Sequence, residues 1–116
     1  MQRLRIRFCR GEEIKLISHL DITRLWQRAL HRAGIPLAYS EGFSPHPRIS
    51  LAAPLPVGVT SQAELMDIFC TRWVSPHFLT AALSQQLPPG IKILQVYPIP
   101  SYKAWHIFLF SLYKYK

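Results

Sequence analysis

The sequence predicts an α+β fold of the ferredoxin-like type, the split βαβ (βαββαβ) arrangement with two helices on one face of a four-stranded antiparallel sheet. The first residues alternate apolar and basic side chains, as an amphipathic strand does. An amphipathic helical pattern follows at residues 18–33, and a second helix begins at the Ser-Pro pair at residues 75–76. Strand-like stretches flank both helices. At 116 residues the chain can build one such core.

The first strand has one apolar and one basic face. Its apolar residues are Leu4, Ile6 and Phe8, and the residues between them are Arg3, Arg5 and Arg7. With the apolar side turned toward the helices, the arginines point from the opposite face of the sheet. That basic face is either a solvated strand surface or a stripe for nucleic acid, and the pattern alone leaves both interpretations open.

The first helix is predicted to begin at Ser18, whose hydroxyl caps the helix, with Asp21 in the first turn. Its apolar stripe consists of Ile22, Leu25, Trp26, Ala29, Leu30 and Ala33. Its opposite side carries Arg24, Arg28 and Arg32. Gly34 and Pro36 end the helix, glycine as a left-handed cap and proline because it cannot continue the pattern. The basic side is a solvated surface or a phosphate-binding one.

The second half repeats the strand and helix signals. Strands are predicted at residues 49–53, 64–71 and 91–97, and residues 54–58 form a rigid turn. After Ser75-Pro76, a helical stripe is formed by Phe78, Leu79, Ala82, Leu83 and Leu87. Pro88-Pro89-Gly90 ends that helix. Phe69 is a candidate aromatic for the uncovered sheet face, but periodicity does not fix the direction in which its side chain points.

Residues 39–48 are predicted to form a binding loop between the first helix and the second strand. Gly42, Pro45 and Pro47 restrict or direct its backbone. Chemically active side chains project between them, namely Glu41, Phe43, His46 and Arg48. Gly42 is expected to adopt a positive φ angle, and Phe43 to anchor the loop on the sheet or to stack a base.

The net charge of +8 and a pI of about 10.0 favour a polyanionic partner such as nucleic acid, an acidic protein face or an anionic membrane surface. Cys9 and Cys70 belong to no CxxC pair, so neither a disulfide framework nor a metal site is expected. The N-terminus has no apolar signal core, and the apolar run at residues 107–112 is shorter than the roughly 20 residues of a membrane span. We therefore expect a cytoplasmic protein with no membrane partner.

Four segments together resemble a known family. They are Ser18-His19-Leu20-Asp21 and the stretches at residues 28–36, 39–50 and 55–58. In this order they are similar to the bacterial radical-SAM-associated domain of unknown function, which occurs free-standing or fused C-terminal to radical SAM proteins. The resemblance implies a radical SAM protein as partner. Because this sequence has no CxxxCxxC motif, the iron-sulfur cluster and S-adenosylmethionine are expected only in that partner, with no cofactor in this chain.

The resemblance covers residues 3–100 and weakens near Ser101. We therefore divide the chain into a ferredoxin-like radical-SAM-associated domain at residues 1–100 and a divergent tail at residues 101–116. Family members look longer, so truncation is one interpretation of the tail. One further edge strand is the other.

Two histidines are the candidate catalytic residues. If His19 and His46 face one cleft with Asp21 and Glu41, they have the chemistry of a general acid and base. The same four residues have the chemistry of a metal site, although no HxH or HxxxH spacing supports one. The structural alternative is that these polar residues form caps and ion pairs that hold the loop against the helix N-terminus. The residues concerned are Ser18, Asp21, Glu41 and Arg48.

We favour a non-catalytic module that binds RNA or positions it for the radical SAM partner. Phosphates would contact Arg3, Arg5, Arg7, Arg24, Arg28, Arg32 and Arg48, and Phe43 would stack on a base. One alternative is a metal-independent endoribonuclease in which His19 or His46 deprotonates a 2′-hydroxyl. Another is a protein-interaction domain that docks on the radical SAM partner.

Overall fold

β1 (Gln2–Arg10) lies inside the sheet, between two antiparallel neighbours. The structure is a computed structural model that describes residues 2–51 and 61–99. A 3-10 turn, Glu12–Ile14, follows β1. The remaining elements are α1 (His19–Arg32), β2 (Ile49–Leu51), β3 (Ser61–Cys70), α2 (Pro76–Ser84) and β4 (Ile91–Ile99). The predicted order of strands and helices is confirmed.

The four strands form one antiparallel sheet in the order β2-β3-β1-β4. The predicted α+β fold, with two helices and a four-stranded antiparallel sheet, is therefore confirmed. The strand order is compatible with the ferredoxin-like arrangement. The register between β1 and β4 shifts after Arg7, which inserts Leu94 as an extra residue on β4.

The core lies between the helices and one face of the sheet. Leu4, Ile6 and Phe8 are fully buried, as their alternation predicts, and the apolar residues of both helices pack in the same cluster. The Phe8 and Trp26 rings meet edge to face, with centroids 4.9 Å apart. Both helices therefore cover one face of the sheet, and no helix within residues 2–51 and 61–99 covers the other.

The boundaries of α1 follow from its sequence signals. The Asp21 N–H donates to the Ser18 hydroxyl over 3.2 Å, and that hydroxyl donates to the Asp21 carboxylate. This is the predicted N-terminal cap. At the other end, Gly34 has a φ of 73°, the left-handed conformation that its position after the helix predicts. The arginines on the outer side of α1 are all exposed.

α2 begins where the Ser-Pro signal predicts, since the Ser75 hydroxyl accepts from the Phe78 N–H. Leu79 and Leu83 are fully buried, but Phe78 is 56% exposed. The assignment of Phe78 to the apolar stripe was therefore wrong. Phe78 precedes Leu79 by one residue, about 100° around the helix, and so points away from the sheet.

Several predictions lie outside the described residues. They are the end of the strand at residues 49–53, the turn at residues 54–58 and the tail at residues 101–116. Within the described residues, no helix has the length and apolar character needed to cross a membrane.

Candidate functional site

The sheet face opposite the helices, here called the open face, carries a row of basic side chains. Arg3, Arg5 and Arg7 lie on it because they alternate with the buried residues of β1. Their cross-strand neighbours on this face are Phe69, Asp67 and Leu65 of β3 and Ile99, Tyr97 and Gln95 of β4. Beyond the register shift, Lys92 pairs with Cys9. The open face therefore combines cations with aromatic rings.

Asp67 is held between two arginines of the open face. Arg5 donates from Nε to Oδ1 over 2.7 Å and from Nη2 to Oδ2 over 3.0 Å, and Arg3 donates from Nε to Oδ2 over 2.9 Å. Burial alone would raise the pKa of Asp67, but the hydrogen bonds from Arg5 and Arg3 outweigh it and lower the pKa. The hydrogen bond to Asp67 in turn raises the pKa of Arg5. One carboxylate thus orients two guanidinium groups.

Phe69 lies on the open face, and two guanidinium groups lie close to its ring. The Arg48 Cζ lies 4.4 Å from the ring centroid, and the Arg3 Cζ lies 5.4 Å from it. Both distances are within the range of cation–π attraction. The register with β1 settles the direction that the sequence left open, because Phe69 pairs with Arg3 and so shares its face. Phe69 was not among the predicted site residues.

The predicted binding loop is a hairpin that is tied to β3. The Ala38 N–H donates to the Phe69 carbonyl over 2.7 Å, and the Phe69 N–H donates to the Arg48 carbonyl over 3.1 Å. Ser40 and His46 close the hairpin, since the Ser40 N–H donates to the His46 carbonyl and the His46 N–H donates to the Ser40 hydroxyl. Both arms of the hairpin are therefore fixed by hydrogen bonds.

The hairpin tip, residues 41–45, is exposed throughout. Gly42 has a φ of 121°, so its expected positive φ is confirmed. The Phe43 side chain is fully exposed, at 108% of its reference area, and does not anchor the hairpin on the sheet. The hydrogen bonds between Ser40 and His46 hold the tip without an apolar anchor, which is why the ring is not needed for packing.

A groove of about 300 Å³ separates the hairpin from the C-terminal half of α1. Here "the groove" means the space lined by Gln27, Arg28, His31, Arg32, Leu37, Tyr39 and Pro47. Tyr39 and Pro47 are cross-strand neighbours in the hairpin. The groove thus brings two of the sequence motifs together, the end of α1 and the loop that follows it.

The seven arginines expected to contact RNA fall on two separate surfaces. Arg3, Arg5, Arg7 and Arg48 belong to the open face. Arg24, Arg28 and Arg32 are exposed on α1, which packs on the other side of the sheet. Strand alternation and helix periodicity identify each set, and the packing of α1 places the two sets on opposite sides of the sheet.

The structure does not bring His19 and His46 together. His19 is the first residue of α1, whereas His46 precedes Pro47, which lines the groove beside Arg28 and Arg32. Along the helix axis, His19 and Arg28 are about 14 Å apart. The hairpin therefore lies beside the C-terminal half of α1, away from the Ser18–Asp21 cap. Among the described residues, no three His, Cys, Asp or Glu side chains are placed to share a metal ion.

A family model described as an uncharacterized protein conserved in bacteria (DUF2344) matches residues 3–113. The chain belongs to this family. The match extends past residue 100, where the motif resemblance weakened. No curated protein matches the chain. The family description names no activity.

Proposed function

We propose that this DUF2344 protein binds single-stranded RNA through the open face and positions it for a partner protein. The observation that carries the proposal is the placement of Phe69 on that face beside the guanidinium groups of Arg3 and Arg48. An aromatic ring and adjacent cations are the two elements that single-stranded nucleic acid requires, for base stacking and for phosphate contacts. Sheet faces of domains with this architecture bind RNA in this way.

The charge of the open face supports an anionic ligand. Five basic side chains belong to it, namely Arg3, Arg5, Arg7, Arg48 and Lys92. Among the described strand positions on this face, Asp67 is the single acidic residue, and it neutralises one of the five charges. Arg7 and Lys92 are exposed at one end of the row. The resulting excess of positive charge attracts phosphates over a distance of about one Debye length.

The proposed partner is a radical SAM protein, which the resemblance of the four sequence segments implies. This chain lacks the CxxxCxxC motif, so the iron-sulfur cluster and S-adenosylmethionine would be supplied by the partner. The role proposed for the present chain is therefore delivery of the substrate, without chemistry of its own.

A matched pair of variants tests the binding surface. Arg7→Gln removes one exposed charge from the open face, and Arg24→Gln removes one exposed charge from α1. The 3.9 Å ion pair of Arg24 with Asp21 is exposed and contributes little stability. Binding of a labelled single-stranded RNA is measured against salt concentration. We expect Arg7→Gln to weaken binding and to make the log-log slope shallower by about 0.7, whereas Arg24→Gln leaves both unchanged.

Equal losses from both variants would show a general effect of net charge and would contradict the open face as the site. Undetectable or salt-independent RNA binding would contradict the proposal altogether. If the partner protein still co-purifies after nuclease treatment while RNA does not bind, the open face is a protein-docking surface instead. If the RNA is cleaved in the presence of EDTA and His46→Ala abolishes the cleavage, the protein is a metal-independent ribonuclease and not a non-catalytic module.

A further inference from the structure

The groove between α1 and the hairpin has two chemically different walls. One wall comes from α1, where the basic residues Arg28 and Arg32 are four residues apart and therefore neighbours on the helix surface, although most of the surface of the groove is apolar. The other wall is apolar and comes from the hairpin, where Tyr39 and Pro47 stand side by side. Buried Leu37 adds apolar surface between them. A ligand that fills the groove meets cations on one side and a flat apolar surface on the other.

None of the described residues that line the groove is acidic. Arg28 and Arg32 carry two full charges, so the charge of this wall exceeds the partial negative charge of about half a unit at the end of a helix. Two guanidinium groups at neighbouring helical positions match the several oxygens of a phosphate group. The charged part of the ligand is therefore an anion.

The apolar wall identifies the rest of the ligand. Tyr39 is 53% exposed although its backbone is fixed in the hairpin. The ring is therefore accessible to a ligand, and binding would cost little backbone conformational entropy. Gln27, also in the lining, offers an amide with both a donor and an acceptor. A volume of about 300 Å³ is at the lower end of ligand sites, which suits one ring system with one anionic group.

We propose that the groove binds a single nucleoside monophosphate, free or at the end of a nucleic-acid strand. The base stacks on Tyr39 and Pro47, with Gln27 available to its polar edge, and the phosphate contacts Arg28 and Arg32. This site is separate from the open face, because α1 covers the other side of the sheet. It therefore does not depend on the function proposed for that face.

The test is a calorimetric titration of the full chain with each of AMP, GMP, CMP and UMP, and with inorganic phosphate and the matching nucleosides. We expect at least one nucleotide to bind about tenfold or more tightly than phosphate or its nucleoside alone. Arg28→Gln and Arg32→Gln should each weaken it, and the matched control Arg24→Gln, one turn away and outside the lining, should not. Tyr39→Leu should weaken binding about tenfold and Tyr39→Phe should retain it, because stacking needs the ring.

Three results would overturn the assignment. The first is that no nucleotide binds at millimolar concentration while circular dichroism shows the chain folded. The second is that Arg24→Gln weakens binding as much as Arg28→Gln, which would indicate net charge alone. The third is that an acidic peptide displaces the nucleotide and binds more tightly, which would make the groove a site for an acidic protein segment.

The Arg7→Gln variant separates this site from the open face. Retained nucleotide binding in that variant is expected even if RNA binding is lost. Nucleotide binding that disappears with Arg7→Gln but survives Arg28→Gln would place the ligand on the open face and would contradict the groove as the site. Failure of RNA to bind, with the nucleotide bound as expected, would contradict only the function proposed for the open face.

Discussion

The Arg48 guanidinium lies over the Phe69 ring, with its Cζ 4.4 Å from the ring centroid. The two residues are also joined through the backbone, because the Phe69 N–H donates to the Arg48 carbonyl over 3.1 Å. Arg48 comes from the hairpin and Phe69 from β3, so this pair connects the loop to the open face. The connection makes Phe69 the residue whose replacement most directly tests the proposed RNA surface.

Phe69→Leu should lower the affinity for single-stranded RNA about tenfold, because stacking of one base contributes about 1–3 kcal/mol. The change keeps an apolar side chain on β3, so the free energy of unfolding should fall by only about 1 kcal/mol. Phe43→Leu is the matched control, since it makes the same replacement on a fully exposed ring at the hairpin tip. A larger loss of affinity from Phe43→Leu would move the stacking site to the tip. Fluorescence anisotropy and urea unfolding measure the two quantities.

Asp67→Asn should reduce the free energy of unfolding by about 2 kcal/mol at neutral pH. The variant replaces the buried carboxylate that accepts hydrogen bonds from charged guanidinium groups with a neutral amide. The effect should depend on pH. Since the folded-state pKa of Asp67 is lowered, its stabilisation is complete above the unfolded-state value of about 3.9 and is lost as the pH falls through the folded-state value. The difference between wild type and variant should thus be constant from pH 7 to 5 and shrink below pH 4. A difference that does not change down to pH 2 would contradict the ionised pair.

Trp26→Phe should be much less destabilising than Trp26→Ala. The alanine variant leaves a cavity beside Phe8 and should cost about 3–5 kcal/mol. The phenylalanine variant keeps a ring against Phe8 and removes the indole Nε1, a buried donor without a hydrogen-bond partner in the described part of the chain. Loss of that unsatisfied donor offsets part of the lost packing. Urea unfolding of both variants measures the difference, and equal costs would contradict a packing role for the ring retained against Phe8.

Glu64→Gln should destabilise the protein by about 3 kcal/mol, because it leaves the Arg10 guanidinium buried beside a neutral group. Arg10 donates to both carboxylate oxygens, from Nε over 2.8 Å and from Nη2 over 2.7 Å. Arg10→Lys keeps the charge but loses this two-point geometry, so it should destabilise as well. A double-mutant cycle should give a coupling energy above about 1 kcal/mol. Additive single effects would contradict the pairing.

The elements that the sequence predicted well depend on local signals. The alternation in β1 and the Ser18 and Ser75 caps each involve residues only a few positions apart, so no tertiary information is needed to interpret them. The error at Phe78 has a similarly local origin. In the first turn of α2 the buried apolar residue is Leu79. Phe78, its apolar neighbour, was assigned to the same stripe although it lies one position away.

The candidate site depended on relationships that the sequence does not contain. Both faces of β3 carry apolar residues, so only the register with Arg3 shows that Phe69 shares the open face. The location of the hairpin beside Arg28 and Arg32 follows from its backbone bonds to β3, which separate His46 from His19. These contacts join residues about 20 to 65 positions apart, and the periodicity of a single helix or strand cannot predict contacts at that separation.

The hydrogen bonds of Phe69 to both arms of the hairpin also protect the protein against misalignment. Adjacent residues of an extended chain point in opposite directions, so Pro47 belongs to the groove and Arg48 to the open face. A slip of one residue against β3 would exchange them, moving an arginine into the groove and a proline onto Phe69. Because one residue of β3 bonds both arms through its N–H and its carbonyl, a single slip in alignment would alter both surfaces.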